Sequence, residues 1–200
     1  MKEIIDNIVL GIGTQSWIGA IALVSGVVYV FLASKGDSRC WLFGIISCVL
    51  IAYEDFTVYQ LISDGILQIF YVILGVWGVY SWWTGNQGIQ RRVHDVPVIG
   101  HLFIIVTSLV SGMMLGCLTQ NYTQAALPYV DAITTTTAVL TTVLLVKRYR
   151  QNWVYWMAIN ATYLYIYGSR EAWFYVALTI IYLVMSVKGW RNWAHLKQTN

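Results

Sequence analysis

Charged residues are scarce in this sequence, and their scarcity excludes an ordinary water-soluble protein. Asp, Glu, Lys and Arg make up 10% of the 200 residues, whereas hydrophobic residues make up 58%. Soluble domains carry about 25% charged residues. Cysteine is also rare, because only Cys40, Cys48 and Cys117 occur, without CxxC spacing. That pattern excludes a disulfide framework and a thiolate metal site. The composition predicts an integral membrane protein.

The sequence also lacks the patterns that accompany enzymatic chemistry. It contains no GxSxG, GxGxxG or phosphate-binding loop motif. His94, His101 and His195 lie near or beyond the ends of apolar segments, and none has a second metal ligand three or four residues away. We therefore predict no catalytic residues, no metal site and no cofactor. The net charge of +3 is spread between the apolar segments, so it gives no sign of nucleic-acid binding.

A series of long apolar segments is the main positive feature. A helix of about 20 apolar residues crosses the hydrocarbon layer. Seven segments qualify, at residues 16–33, 41–53, 65–83, 98–118, 132–146, 153–167 and 173–188. The second and sixth are short, so either their helices extend beyond these bounds or they meet a water-filled cavity. Residues 1–14 lack a cleavable signal pattern and fit a short amphipathic helix on the membrane. The prediction is an all-α membrane protein with seven transmembrane helices.

The connecting segments predict the orientation of the chain. If the N-terminus lies outside, ten basic residues fall on the inner side, whereas Lys2 and Arg170 fall outside. Cytoplasmic loops carry an excess of Lys and Arg, so we predict an external N-terminus and a cytoplasmic C-terminus. The ten inner residues are Lys35, Arg39, Arg91, Arg92, Lys147, Arg148, Arg150, Lys188, Arg191 and Lys197.

An internal repeat relates the two halves of the sequence. An offset of 112 or 111 residues pairs Lys35 with Lys147, Trp41 with Trp153, Tyr53 with Tyr165, Tyr71 with Tyr182, Gly78 with Gly189, and Trp82 with Trp193. We predict one domain, residues 1–200, with parallel three-helix repeats at 16–83 and 128–193 joined by a linker helix at 98–118. Parallel repeats are a known transporter design, and their binding site lies where the repeats meet.

The sixth segment carries a stripe of aromatic and amide side chains. Trp153, Trp156, Asn160, Tyr163 and Tyr167 share one helical face. An unpaired amide in an apolar medium costs roughly 2–7 kcal/mol, and aromatic faces attract flat cations. The stripe thus predicts a binding site for a flat polar ring. The alternative is that the tryptophans are interfacial anchors and that the amide bonds a neighbouring helix.

Other polar residues lie inside or beside the apolar segments. Gln68, near the start of the third segment, is interpreted as a site residue or a helix–helix hydrogen-bonding group. Glu54 and Asp55 follow the second segment, where a solvated loop is the favoured interpretation. Asp131 precedes a run of threonines and either contributes to the site or caps the fifth helix.

Several motifs resemble the PnuC family of vitamin transporters. They are Asp131-Ala132, Lys147-Arg148-Tyr149, the stretch Asn152-Trp153-Val154-Tyr155-Trp156-Met157-Ala158-Ile159-Asn160, Leu67-Gln68-Ile69-Phe70 and Tyr80-Ser81-Trp82. The resemblance implies a SWEET-like three-plus-one-plus-three helix arrangement and a homotrimer in the bacterial inner membrane. It also implies uptake of nicotinamide riboside by facilitated diffusion, followed by trapping when a cytoplasmic kinase phosphorylates the riboside. Gly19 and Ser47 depart from the family, which has an acidic residue and an asparagine there.

The predicted substrate-binding residues combine the stripe, the repeat and the resemblance. They are Trp153, Trp156, Asn160, Gln68, Tyr163, Tyr53 and Asp131. Aromatic faces would stack on the pyridinium ring of nicotinamide riboside, and the amides would bond its carboxamide or hydroxyls. The sequence has no carboxylate cluster at mid-depth, which favours uncoupled transport. The alternatives are transport of thiamine, riboflavin or a deoxynucleoside, a membrane enzyme subunit, and a non-transporting scaffold or sensor.

Overall fold

The computed structural model describes residues 2–13, 16–60, 62–84, 92–120 and 128–199, and these residues are almost entirely helical. Among the described residues, an isolated β-bridge pairs His94 with Tyr149. The predicted all-α class is therefore confirmed. The helices are α1 (Lys2–Gly13), α2 (Trp17–Ser34), α3 (Cys40–Glu54) with a π-helical turn (Asp55–Tyr59), α4 (Ile62–Thr84), α5 (Val98–Thr119), α6 (Pro128–Val146), α7 (Asn152–Ser169) and α8 (Trp173–Thr199).

Local sequence signals define where several helices begin and end. The Ser16 hydroxyl accepts a hydrogen bond from the Gly19 amide at 2.9 Å and caps α2. Pro97 precedes α5 and Pro128 begins α6, where a missing N–H costs no helical hydrogen bond. Gln60 ends the π-helical turn in the left-handed conformation, with φ of 57°.

Six helices in the described part of the chain are long and apolar enough to cross a membrane. They are α2, α3 with its π-helical turn, α4, α5, α6 and α8. The remaining candidate, α7, has 18 residues but is less apolar, because Asn152, Asn160 and several tyrosines interrupt it. The seventh crossing therefore stays a prediction.

The helix bounds explain the short second segment of the sequence analysis. The helical residues continue past 53 to Tyr59 and give a span of 20 residues, so its end was placed too early. The N-terminal helix is present as α1, and it packs against α8. A Cβ at Gly11 would lie 2.7 Å from the Phe174 side chain, which shows how closely the two helices approach.

The helices form two consecutive groups that pack against each other. α3 packs between α2 and α4, α7 packs between α6 and α8, and α5 lies against α6. Across the groups, α2 contacts α8 and α4 contacts α6. The bundle has two ends of opposite character. We call the end with residues 35–39, 92–97 and 147–151 the basic end, and the end with residues 54–60, 62–64, 128–131 and 169–173 the acidic end.

Four tryptophans fill the centre of the bundle at the basic end. Trp41, Trp82, Trp153 and Trp193 are between 0% and 7% exposed, and we call them the tryptophan cluster. Trp41 meets Trp82 edge to face with ring centroids 5.4 Å apart, and Trp153 meets Trp193 in the same way at 5.7 Å. Edge-to-face pairs stabilise beyond the area that they bury. The Arg148 guanidinium lies 3.8 Å above the Trp82 ring.

Two hydrogen bonds of the tryptophan cluster cross between the helix groups in opposite directions. The Trp82 indole on α4 donates to the Val146 carbonyl at the end of α6, at 2.8 Å. The Trp193 indole on α8 donates to the Ala33 carbonyl near the end of α2, at 3.0 Å. Each group therefore satisfies carbonyl oxygens near a helix C-terminus of the other.

Two glycines make room for the tryptophan cluster at corresponding positions of the sequence repeat. A Cβ at Gly78 would lie 2.3 Å from the Trp41 ring, and one at Gly189 would lie 2.4 Å from the Trp153 ring. Both distances are well inside van der Waals contact, so only glycine fits without a shift of the indole. The repeat predicted from the sequence thus coincides with matching local packing.

Candidate binding site

Asn160 is a buried amide halfway along α7. It is 6% exposed, and its Nδ2 donates to the Trp156 carbonyl at 2.8 Å and to the Ser186 hydroxyl of α8 at 3.4 Å. The Ser186 hydroxyl donates to the Tyr182 carbonyl at 2.8 Å. The amide is therefore held between α7 and α8 in a defined orientation, as buried polar groups usually are.

Four tyrosines from four helices lie near the same level of the bundle. Tyr29 lies near Tyr71 and Cys48, and Tyr71 lies near Tyr163 and Cys48. Tyr182 also lies near Cys48. We call Tyr29, Tyr71, Tyr163 and Tyr182 the tyrosine group. Their phenol rings combine apolar faces with hydroxyls that donate or accept hydrogen bonds, which suits a flat ligand that carries polar substituents.

The approach of α2 to α3 and α8 explains how the tyrosine group closes on one side. A Cβ at Gly26 would lie 3.2 Å from both the Ser47 hydroxyl and the Tyr182 hydroxyl. The Ser47 hydroxyl donates to the Ala22 carbonyl at 2.8 Å. Ser47 thus places a short hydroxyl, bonded to α2, beside the tyrosine group.

Three members of the tyrosine group were missed as site residues by the sequence analysis. Tyr29, Tyr71 and Tyr182 lie on α2, α4 and α8, outside the predicted stripe on α7. A signal was present, because the repeat already paired Tyr71 with Tyr182. The shared neighbour Cys48 also stands 112 residues before Asn160, at the corresponding position of α3.

The structure brings part of the predicted site to this group. Tyr163 belongs to it and lies near Thr135 of α6. Gln68 is half-buried and lies three residues before Tyr71, on the same face of α4. Trp156 lies between the two regions, because its side chain packs against the tryptophan cluster while its carbonyl accepts the bond from Asn160.

Two predicted residues lie away from the tyrosine group. Trp153 is 2% exposed and packs inside the tryptophan cluster, about two turns nearer the basic end than Asn160. This packing suits the alternative interpretation of Trp153 as a structural residue. Tyr53 is 53% exposed on α3, and its repeat counterpart Tyr165 is 70% exposed on α7.

A column of stacked rings leads from the tyrosine group towards the acidic end. Tyr163 and Tyr167 stack with centroids 5.7 Å apart and planes 14° apart. Tyr167 and Tyr175 continue the stack at 5.3 Å and 29°. The column joins α7 to the first turn of α8, and its flat faces lie along the bundle between the acidic end and mid-depth.

Carboxylates gather beside that column. Asp131 is exposed in the first turn of α6 and lies near Asp64 and Arg170. Glu54 and Asp55 are each only 6% exposed, so their interpretation as a solvated loop is wrong. They lie on the helical extension of α3, and Ser16 donates a hydrogen bond to Glu54. Within the described ranges, no group of His, Cys, Asp and Glu side chains is arranged to hold a metal ion.

Comparisons with known proteins find relatives that are named as transporters. A family model described as nicotinamide mononucleotide transporter matches residues 16–195. The nicotinamide riboside transporter PnuC of Neisseria mucosa is 24% identical over 96% of this chain and 77% of its own length. The corresponding transporter of Haemophilus influenzae is 26% identical over 93% of this chain and 83% of its own length, and that of Escherichia coli is 21% identical over 96% and 92%.

A solved structure has the same fold. The crystal structure of the vitamin B3 transporter PnuC superposes with a TM-score of 0.73 and 25% sequence identity. The match covers 98% of this chain and 88% of the other. The similarity therefore extends over the whole bundle and includes the helices that carry the tyrosine group.

Proposed function

Because the chain belongs to the nicotinamide mononucleotide transporter family, we propose that it carries nicotinamide riboside across the bacterial inner membrane. Relatives from three bacteria are named as transporters of this compound. The family confirms the prediction of a membrane transporter and not an enzyme. The observation that carries the choice of substrate is the buried Asn160 amide, fixed between α7 and α8 beside tyrosines from four helices.

The riboside suits this site because it is a flat pyridinium cation attached to a sugar. Tyrosine faces attract a cation and stack on its ring. The Asn160 and Gln68 amides and the tyrosine hydroxyls supply donors and acceptors for the carboxamide and ribose. In this arrangement Asn160, Gln68 and Tyr163 contact substrate directly, and Tyr29, Tyr71 and Tyr182 join them. Trp156 borders the site, Trp153 supports it from the tryptophan cluster, and Tyr53 and Asp131 lie towards the entrance.

Transport proceeds by facilitated diffusion in this proposal. The groups beside Asn160 are amides, hydroxyls and a thiol, so none is a ready carrier of protons at neutral pH. Neutral partners also release a cation more easily than a deep ion pair would. Net uptake then depends on a cytoplasmic kinase. Phosphorylation lowers the concentration of free riboside inside the cell, and the product carries a negative charge that prevents its return.

The proposed architecture has seven crossings in parallel repeats of three helices, with α5 as the linker. It is supported by the matching contacts of α2 with α8 and of α4 with α6, and by the paired glycines beside Trp41 and Trp153. With α7 counted as a span, the two termini lie on opposite sides, and the excess of Lys and Arg at the basic end supports a cytoplasmic location for that end and an external N-terminus. The chain assembles as a homotrimer among membrane lipids, as the resemblance to its family implies.

Uptake of labelled nicotinamide riboside into proteoliposomes tests both substrate and mechanism. At zero membrane potential, the riboside should equilibrate to equal concentrations, and neither a proton gradient nor a sodium gradient should drive accumulation. The potential must be controlled, because it acts on a cation by about 2.3 kcal/mol per 100 mV. An enclosed riboside kinase with ATP should drive accumulation. Stronger competition by thiamine, riboflavin or a deoxynucleoside would overturn the substrate, and accumulation by a proton gradient alone would overturn the uncoupled mechanism.

A further inference from the structure

Four carboxylates from three helices converge at the acidic end. Glu54 and Asp55 lie at the end of α3, Asp64 lies in the first turn of α4, and Asp131 lies in the first turn of α6. Asp64 lies near both Asp55 and Asp131. Arg170 lies near Asp131 and offsets one of these charges. The end of the bundle nearest the tyrosine column therefore carries a concentrated negative charge.

The Asp55 carboxylate is buried at the acidic end among other carboxylates. Its side chain is 6% exposed, and its Oδ2 is buried without a hydrogen-bond partner among the described residues. The charged groups nearest to it are the carboxylates of Asp64 and Glu54. A buried carboxylate oxygen that faces like charges is costly, so the arrangement is suited to an external cation.

Packing holds the carboxylates in this arrangement. The Phe56 ring, on the π-helical turn, lies against the start of α4 so closely that a Cβ at Gly65 would come within 2.6 Å of it. This contact keeps Asp55 beside Asp64. On the other side, Ser16 donates a hydrogen bond to Glu54 and ties the end of α3 to the cap of α2.

The same carboxylates border the stacked tyrosines. Tyr163 and Tyr167 both lie near Asp64 and Asp131, and Tyr167 stacks on Tyr175. Negative charge beside flat aromatic faces is the combination that binds organic cations. Charged walls of one sign also raise the local concentration of an oppositely charged ligand and speed its association.

We propose that Asp55, Asp64, Asp131, Tyr167 and Tyr175 form a capture site for flat monovalent organic cations, next to the Asn160 site and connected to it through Tyr163. This inference rests on the proposed function for its orientation and substrate. The capture site accepts the pyridinium riboside from outside and selects by charge before the deeper site selects by hydrogen bonding. It repels the mononucleotide, because its phosphate meets the carboxylates.

Binding of two small probes tests the capture site without transport. 1-Methylnicotinamide, with its methyl group on the ring nitrogen, is a pyridinium cation, and nicotinamide is its neutral counterpart without that methyl group. Their binding to the protein in phosphatidylcholine nanodiscs is measured by equilibrium dialysis, with empty nanodiscs as the blank. The cation should bind roughly three- to tenfold more tightly at low ionic strength. The difference should vanish at about 1 M salt, where the screening length falls to about 3 Å.

Variants decide which residues select the charge. The double change Asp64→Asn and Asp131→Asn should remove the preference for the cation. Asp6→Asn, which removes an exposed carboxylate of α1, should keep it. Asn160→Ala should also keep it, because Asn160 lies outside the capture site. Equal binding of both probes to the unchanged protein, or a preference that survives the double change, would overturn the proposal. Loss of the preference in Asn160→Ala would place charge selection in the deeper site and would also overturn it.

Two further measurements distinguish a loss of charge preference from misfolding, and failure of the capture site from failure of the proposed function. If the double variant does not fold, the exposed Asp131→Asn change alone should weaken the preference, and an unchanged preference would count against the capture site. If the protein fails to carry nicotinamide riboside but still prefers the cationic probe, the proposed function fails and the capture site stands. If it carries the riboside normally without any charge preference, the capture site fails and the proposed function stands.

Discussion

Trp153 and Asn160 lie two turns apart on one face of α7, yet their surroundings differ completely. The indole packs against Trp193 and Gly189 in the tryptophan cluster. The amide bonds α8 beside the tyrosine group. At the scale of single residues, one helical face therefore serves the core at its basic end and the proposed binding site at mid-depth.

Replacing Asn160 with alanine should weaken binding of nicotinamide riboside by roughly 1–3 kcal/mol, because a buried polar group of the substrate would lose its hydrogen-bond partner. The bond to Ser186 also disappears, so folding must be checked by circular dichroism. Asn192→Ala is the matched control, because Asn192 is exposed on α8 and its side chain donates a hydrogen bond to the Ser34 carbonyl near the basic end. Unchanged affinity in a folded Asn160→Ala protein would remove Asn160 from the site.

Two Gly→Ala changes should have opposite effects on stability. Alanine at Gly189 pushes the Trp153 ring, 2.4 Å from the new Cβ, and overpacking of this kind typically costs about 1–3 kcal/mol. Alanine at Gly168 meets nothing within 4 Å and should stabilise α7 by up to about 1 kcal/mol. Thermal unfolding in detergent, followed by circular dichroism, measures both. A Gly189→Ala protein as stable as Gly168→Ala would show that the indole moves freely.

At the scale of helices, local sequence predicted some bounds well and others poorly. The segment 98–118 matches α5 closely, because a long apolar run leaves little choice. The sequence predicts that the second segment ends at residue 53, because Glu54 and Asp55 resemble a loop, whereas the chain continues helically to Tyr59. Those acids are tolerated because Ser16 bonds one of them and neighbouring helices bury both. Such tertiary burial is not visible in a local pattern.

The segment before α5 is fixed to the rest of the basic end by polar contacts. The amide of His94 donates to the Arg148 carbonyl at 3.0 Å, and the amide of Arg150 donates to the His94 carbonyl at 2.9 Å. Asp95 accepts hydrogen bonds from Lys197 and from Gln151. The start of α5 is therefore tied both to the loop between α6 and α7 and to the end of α8.

This contact predicts a pH dependence. The Lys197 hydrogen bond, followed by that from Gln151, lowers the pKa of Asp95 below its usual value. A lowered pKa in the folded state means that the stabilisation is present above the unfolded pKa, about 3.9, and is lost as the pH falls through the folded value. Between about pH 5 and pH 3, the unfolding temperature of Asp95→Asn should fall less than that of the unchanged protein.

The effect should be small, since the Asp95 side chain is 39% exposed and solvent screens the contact. Glu171→Gln, which removes an exposed carboxylate at the acidic end, should retain the pH dependence of the unchanged protein. An Asp95→Asn protein with the same pH dependence as Glu171→Gln would mean that the contact adds nothing to stability.

At the scale of the whole molecule, the number of crossings determines on which side each terminus lies. Seven crossings place the termini on opposite sides, whereas six without α7 place them on one side. After Cys40, Cys48 and Cys117 are replaced by alanine, a single cysteine at Asp6 should react with an impermeant reagent only from outside. A cysteine at Gln198 should react only from the cytoplasm. Reaction of both from one side would exclude α7 as a span.

The whole-molecule pattern also shows why the site was only partly predicted. Periodicity placed Asn160 and Tyr163 on one face of α7, and the offset of about 112 residues paired Tyr71 with Tyr182. Neither signal tells which helices meet at that face. Tyr29 belongs to the tyrosine group because α2 packs against α3 and α8. Trp153 does not belong to it, because its ring packs against Trp193 in the tryptophan cluster. These outcomes depend on contacts between distant parts of the chain.

The crossed hydrogen bonds of Trp82 and Trp193 have a consequence for how such a chain could originate. Each proposed repeat carries an indole donor and an acceptor carbonyl that the other repeat needs. Two identical copies of one repeat, related by a twofold axis, would satisfy each other through the same self-complementary contact. A duplicated gene would then need only a connecting helix with the direction of α5 to join the copies. The two proposed repeats would then pack against each other as the subunits of a symmetric dimer do, although they belong to one chain.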